Sequence, residues 1–254
     1  MEVKLFDLDG KVAMVTGSTR GLGEVAAKAL AKAGADVAVC GRDRERLKKV
    51  SGEIRAMGRR SEGFFIDVTS KDSVSKATKE ILDYFGQVDI LFNNAGVNYR
   101  VPVLEYPEEQ WDQVINTNLK GYVLVSQAVV PQMLERGYGK VINMASILGT
   151  VALPNQLAYA ASKGGVNQIT KVMALEWAKK GVTVNAIGPT YFATDLNVQI
   201  RNDPERSKFI NERTPMGRWG ELLELEGVVI FLAARASDFI TGQTIYIDGG
   251  WTAW

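Results

Sequence analysis

Apolar, β-rich runs recur along the chain at 11–16, 36–41, 62–67, 89–94, 140–145, 182–187 and 243–248, and helix-patterned stretches separate them. Such alternation leaves few folds open. Strands joined through helices lie parallel, linked by right-handed crossovers, in one doubly wound sheet. Several runs, "KVAMVT" and "DVAVCG" among them, are apolar almost throughout, as strands covered by helices on both faces must be. The expected architecture is α/β, with a seven-stranded, mainly parallel sheet flanked by helices. No repeat, low-complexity tract or Pro/Gly/Ser linker divides the 254 residues, so a single domain over 1–254 is expected.

Helix punctuation fits this plan. "LGEVAAKALAKAG" stops at Gly34, and "RDRERLKKVSGEIRAMG" stops at Gly58 with Asp43 as its N-cap. "SKDSVSKATKEILDYFG" opens on Ser70, another N-cap. Longer helices are expected over 108–136 and 157–180. The stretch 188–221 is long and irregular, the mark of a substrate lid rather than a spacer.

Composition narrows the chemistry. Thirty basic and 29 acidic residues give a net charge of +1, so no global field recommends nucleic acid or a membrane surface as partner. There is no secretory signal pattern and no apolar run long enough to span a bilayer. Cys40 is the only cysteine, which rules out an intrachain disulfide and fits a reducing cytoplasm. The chain has no histidine. That excludes a Ser-His-Asp hydrolase and speaks against a zinc site, so no metal is expected. Proton transfer falls to Tyr, Lys, Asp, Glu or water.

The first strand runs into "TGSTRGLG", Thr16 to Gly23. At this place a Rossmann-like sheet receives a pyrophosphate: glycines let backbone N–H groups approach, and the helix N-terminus favours negative charge. The loop resembles the T-G-x-x-x-G-x-G cofactor loop of the short-chain dehydrogenase/reductase family. "NNAG" (93–96), "YAASK" (159–163) and "IGP" (187–189) resemble three more signatures of that family, in its order, and the match runs from residue 11 to the terminal "DGGW".

The resemblance implies a dinucleotide held by Gly17, Thr19, Arg20, Gly21, Leu22 and Gly23. It extends the contacts to Arg42, Asp67 (facing the adenine), Val68, Asn94, Ala95 and Gly96. On the nicotinamide side it adds Tyr159, Lys163, Pro189, Thr190, Phe192 and Thr194, while Asn93 buttresses the sheet. Gly41 stands where NAD-preferring members carry Asp, and Arg42 follows it. With Arg20, that arrangement resembles the NADP(H)-preferring pattern, since guanidinium groups bind a ribose 2′-phosphate bidentately. Thr190 departs from the family's glycine and could alter the backbone path beside the nicotinamide.

Tyr159 and Lys163 are four apart and share a helix face. A free tyrosine titrates at about 10, and a neighbouring ammonium is expected to bring it toward working range. Ser146, which follows "INMA", matches the family's catalytic serine, and Asn118 in "INTNLKG" matches the asparagine that completes its tetrad, with Asn116 a rival. "GVNYR", "LPNQLAYAASKGG", "TPMGRWGE" and "DGGWTAW" are similar to the branch of gluconate 5-dehydrogenases and related keto-sugar-acid reductases. That implies NADP(H)-dependent interconversion of 5-keto-D-gluconate and D-gluconate. Asn98, Arg100, Asn155 and Gln156 are candidates for holding the acid and its hydroxyls. A 3-oxoacyl or general carbonyl reductase, a sugar 1-dehydrogenase and a non-enzymatic dinucleotide sensor stay open. The family also implies a homotetramer or dimer through the two long helices, and the aromatic tail is expected to pack through Trp251 and Trp254.

Overall fold

The computed structural model describes residues 4–194 and 197–253. Strands β1 (Val12–Thr16), β2 (Asp36–Gly41), β3 (Ser61–Phe65), β4 (Ile90–Asn93), β5 (Gly139–Met144), β6 (Val182–Pro189) and β7 (Thr244–Ile247) build one sheet. Their order is β3-β2-β1-β4-β5-β6-β7, and every neighbouring pair is parallel. From β1 the chain winds outward to β3, then returns to the other side of β1 at β4. The crevice outside the carboxyl ends of β1 and β4 is therefore the switch point at which such sheets bind ligands.

Alternation along each strand sends side chains to opposite faces. Ala13, Val15, Val37 and Val39 join one buried cluster, which also holds Ala26, Leu30 and Val229. Val12, Met14, Ala38 and Cys40 join the other, with Ile81, Val125 and Met133. Helices α1 (Gly21–Lys32) and α2 (Arg44–Ala56) supply the first layer with α9 (Leu222–Ala233), and α3 (Lys71–Phe85) the second.

The expected caps form. The Asp43 carboxylate accepts from the Arg46 N–H at 3.1 Å, the Ser70 hydroxyl from the Ser73 N–H at 3.3 Å, and Gly86 ends α3 at φ +85°. Over 108–136 the structure departs from one regular helix. It has α4 (Glu108–Ile115), a widened π turn (Asn116–Lys120) and α5 (Gly121–Arg136). A π turn within a helix is a frequent mark of a functional position, and Asn118 lies in this one, fully buried. Leucine 157 opens α6 (Leu157–Trp177).

The segment after β6 is less irregular than its sequence implied. It contains α7 (Val198–Arg201) and α8 (Pro204–Arg213), the latter started by Asp203, whose carboxylate accepts from the N–H groups of Glu205 and Arg206, and by Pro204 at its first turn. Ile200, Ile210 and Trp219 from this segment bury against Ile147, Leu148 and Trp251. Trp251 is 1% exposed; Trp254, the other tail tryptophan, lies outside the described residues. Among the described residues no helix is long and apolar enough to cross a membrane.

Candidate active site

The glycine loop is held from both sides. Asn94, just past β4, donates from Nδ2 to the carbonyls of Thr16 and Gly17, each at 3.0 Å, while the Thr16 hydroxyl accepts from the Asn94 and Ala95 N–H groups. Ser18 Oγ donates to the Val15 carbonyl at 2.7 Å and accepts from the Cys40 N–H at 2.9 Å, which ties the loop to β2. Gly17 and Gly21 take positive φ, at +64° and +57°. A Cβ on Gly17 would sit 2.8 Å from the Ala95 Cα, and one on Gly23 would collide with the Gly17 carbonyl and the Asn94 side chain. The loop is a tight backbone cradle at the start of α1.

Gly41 has a specific neighbour. A Cβ there would lie 2.9 Å from Thr19 Cγ2, so with Thr19 in this position an aspartate at 41 would not fit without displacing it. Arg20 and Arg42 are both exposed, and among the described residues neither forms an ion pair. Burial opposes ionisation of Asp67, but hydrogen bonds from Thr69 and the Arg42 charge outweigh it, and its pKa falls below the usual carboxylate value. Val68 is buried against Gly121, where a Cβ would meet Val68 Cγ2 at 2.9 Å.

Behind the crevice a buried polar chain links the strands. Asn93 Nδ2 donates to Ser126 Oγ and to Asn143 Oδ1, and Asn143 Nδ2 donates to Thr170 Oγ1. In the π turn, Asn118 Oδ1 accepts from the Val97 N–H at 2.8 Å while its Nδ2 donates to the Val97 carbonyl at 2.9 Å. The same Nδ2 reaches Ser162 Oγ on α6 at 3.3 Å. Asn118 thus pins the loop carrying Gly96 to the helix carrying Tyr159 and Lys163.

Ser146 follows β5 in extended backbone, 6% exposed. Tyr159 and Lys163 project from α6. Lys163 Nζ donates to the Met144 carbonyl at 2.6 Å and to the Tyr122 hydroxyl at 3.4 Å, and lies 5.5 Å from the centre of the Tyr159 ring. Tyr122, on α5, is a partner of the lysine that the sequence reading missed; nothing in its local sequence marks it.

The electrostatics correct one expectation. The lysine does not bring the tyrosine down. Burial pushes the Tyr159 pKa up, and a hydrogen bond with the Ser146 side chain and the charge of Arg100 only partly offset it. Lys163 is fully enclosed, and burial lowers it to about 7. Both groups sit where desolvation disfavours their charged forms.

On the outer side, Arg100 is exposed, and its charge reaches both Tyr159 and Tyr191. Asn98 Nδ2 donates to Gln156 Oε1 at 2.9 Å, joining the loop after β4 to the entry of α6. Asn155, just before it, has φ +62°, and among the described residues it is the one non-glycine with positive φ. Local strain of this kind gathers at ligand sites. Pro189 ends β6, and Phe192 and Thr194 are buried. Thr190 needs no glycine conformation; its N–H donates to the Ile247 carbonyl at 3.2 Å, so its backbone continues along β7. Its Oγ1 is buried and without a partner among the described residues.

The order of elements, the glycine cradle and the Ser146, Tyr159 and Lys163 cluster meet at one sheet edge, and comparison with known proteins agrees. Residues 17–252 match the family model described as enoyl-(acyl carrier protein) reductase. The gluconate 5-dehydrogenase of Gluconobacter oxydans is 40% identical over 248 residues, 98% of this chain and 97% of that protein. The chain belongs to the short-chain dehydrogenase/reductase family. It is an oxidoreductase of that family, acting between a CH–OH group and a carbonyl. The 2-dehydro-3-deoxy-D-gluconate 5-dehydrogenase of Escherichia coli is 42% identical over 257 residues, covering 100% of both chains. Among solved structures, a gluconate 5-dehydrogenase from Burkholderia cenocepacia in complex with NADP and tartrate superposes with a TM-score of 0.97 at 39% identity, with 100% of each chain covered.

Proposed function

We propose that this chain interconverts 5-keto-D-gluconate and D-gluconate with NADP(H), using Tyr159, Ser146, Lys163 and Asn118. The observation that carries the reading is that Tyr159 shares a hydrogen bond with the Ser146 side chain and lies within reach of the charge of the exposed Arg100. A polar anchor at the reacting oxygen and a cation for a carboxylate are what a keto acid requires. The two relatives named above are called 5-dehydrogenases of six-carbon sugar acids. A 2-keto-3-deoxy sugar acid is the second reading, favoured by the relative from Escherichia coli.

The residues present fit a dinucleotide. Gly17 and Gly23 leave a cradle that any Cβ would fill, next to the backbone N–H groups at the start of α1. Arg20, in the glycine loop before α1, and Arg42, just past β2, stand exposed where they could reach a 2′-phosphate, and the Thr19 methyl group crowds the place of an acid that would bind free ribose hydroxyls. This supports NADP(H) over NAD(H). Gly21, Leu22, Asp67, Val68, Asn94, Ala95 and Gly96 would line the adenosine and pyrophosphate side, and Pro189, Thr190, Phe192 and Thr194 the nicotinamide. Bound NADPH supplies the hydride and NADP+ accepts it.

The chain's own groups manage the oxygen and its proton. Tyr159, a phenol whose pKa burial moves further above neutrality, is protonated at neutral pH, so its hydroxyl donates to the carbonyl oxygen as charge develops there during reduction. Ser146 holds the same oxygen through a second hydrogen bond. In the oxidative direction Tyr159 takes the alcohol proton, which needs the phenolate and is favoured by rising pH. Lys163, fixed on the Met144 carbonyl, would hold the nicotinamide ribose and, when protonated, pass a proton back toward the Tyr159 phenolate left by reduction. Asn118 acts through position, keeping the loop after β4 and helix α6 in register. Arg100 binds the carboxylate, while Asn98 and Asn155 face the hydroxyls from the rim.

The segment 188–221 serves as the lid over the substrate. The exposed apolar residues Val172 and Leu175 on α6, 53% and 82% exposed, support assembly into a dimer or tetramer through that helix. A cytoplasmic setting suits both the coenzyme and the one buried cysteine. The test is to incubate D-gluconate with NADP+ and identify the product by NMR. A keto acid oxidised at C5 is expected; oxidation at another carbon, or none, would overturn the assignment.

A further inference from the structure

An aromatic wall beside Tyr159 has no role in the reading above. Tyr191 follows β6, and its ring packs edge-on to Trp219 and tilted against Trp251, with centroids 5.4 and 5.8 Å apart. Trp251 in turn meets Phe209 at 6.3 Å. Tyr159 and Tyr191 pack against the same cluster, which includes Ile147 and Leu148 directly after Ser146. The ring of Tyr191 is therefore fixed at the edge of the reaction site.

Its hydroxyl differs from those of its neighbours. The Tyr122 hydroxyl donates to the Met144 carbonyl, Tyr246 bonds Thr150 and Asn167, and Tyr99 donates to Gln113. Among the described residues none pairs with the Tyr191 hydroxyl, and the buried indole N–H of Trp219 also lacks a partner. Tyr191 is only half-buried, so its hydroxyl stays open to water or to a ligand, whereas a buried indole N–H ordinarily finds a hydrogen bond. Burial raises the Tyr191 pKa while the charges of Arg100, in the loop after β4, and Arg206, on α8, lower it, so both cations lie within electrostatic reach of this phenol. A phenylalanine would fill the wall equally well. The hydroxyl is the part that packing does not require.

We propose that Tyr191 is a specificity-determining residue whose hydroxyl bonds a substrate hydroxyl beside the reacting carbon, selecting polyhydroxylated keto acids over unsubstituted ones. The proposal rests on the keto-sugar-acid reading and deepens it.

The experiment compares Tyr191→Phe with wild type in NADPH-dependent reduction of 5-keto-D-gluconate and of 5-oxohexanoate, which keeps the ketone and carboxylate but lacks the hydroxyls. One lost hydrogen bond lowers kcat/KM for the sugar acid by about tenfold and leaves 5-oxohexanoate within about twofold. NADPH affinity and the thermal midpoint stay at wild-type values. Tyr191→Trp, which keeps a ring and an N–H donor, retains more of the discrimination than the phenylalanine variant. Equal losses on both substrates, or no loss on either, overturn the role of Tyr191 while the function stands. A wild-type enzyme inert toward 5-keto-D-gluconate overturns the substrate reading itself, and this proposal with it.

Discussion

The two sides of the crevice are built differently. On the coenzyme side, glycines without room for a Cβ and asparagines hydrogen-bonded across strands fix the backbone, with little reliance on large side chains. On the side proposed for the substrate, Tyr191 is held by aromatic contacts with Trp219 and Trp251. A backbone cradle accepts one ligand shape and tolerates few changes. An aromatic wall with free polar tips can be retuned by single substitutions.

The largest expected effect falls where the two sides meet. Tyr159→Phe removes the proton donor and lowers kcat by about a thousandfold, with NADPH affinity unchanged in a fluorescence titration. Survival of turnover would break the assignment. On the coenzyme side, the double change Arg20→Ala with Arg42→Ala raises KM for NADPH by about 10- to 100-fold, the worth of one to two charge-assisted hydrogen bonds, and leaves NADH kinetics nearly unchanged. A similar loss with NADH would mean that the arginines do not read the 2′-phosphate.

On the substrate side, Trp251→Ala removes a ring that is 1% exposed and costs about 3–5 kcal/mol of stability. In the protein that stays folded, KM for the keto acid rises while the dissociation constant for NADPH does not. Loss of coenzyme affinity would show the two sides to be one cooperative unit.

The smallest effect is a pH slope. Lys163 titrates at about 7 in the folded chain, and near 10.4 when unfolded. Between these values the unfolded state binds the additional proton, so stability rises with pH from 7 to 9 and the cost of burying the ammonium is fully present below 7. The slope is at most about 1.4 kcal/mol per pH unit. In coenzyme-free Lys163→Met, denaturant unfolding at pH 7, 8 and 9 should lack that increment. An unchanged slope would place the titration elsewhere.

Much of the coenzyme side is legible in the sequence because its requirements are local. Gly17, Gly21 and Gly23 act within one turn, Asp43 and Ser70 cap helices three residues away, and the Tyr159–Lys163 spacing follows from a helical turn. The strand runs translate into the sheet with ends displaced by at most two residues. The substrate side is less legible. Tyr191, Trp219 and Trp251 are brought together by packing between residues far apart in the chain, and no short pattern foretells it. The π turn at Asn116–Lys120 is hidden in an ordinary helical pattern. The shift of Tyr159 was misjudged for a related reason: spacing shows that a lysine is near, but burial, which decides the sign here, comes from the whole fold.

The most direct measurement is the initial rate of 5-keto-D-gluconate reduction with NADPH and with NADH. The account predicts turnover with NADPH and a kcat/KM at least about tenfold lower with NADH, the minimum that one lost charge-assisted hydrogen bond implies. Equal rates with the two coenzymes would contradict the reading of Arg20, Gly41 and Arg42, and no turnover with either would contradict the assignment of the substrate.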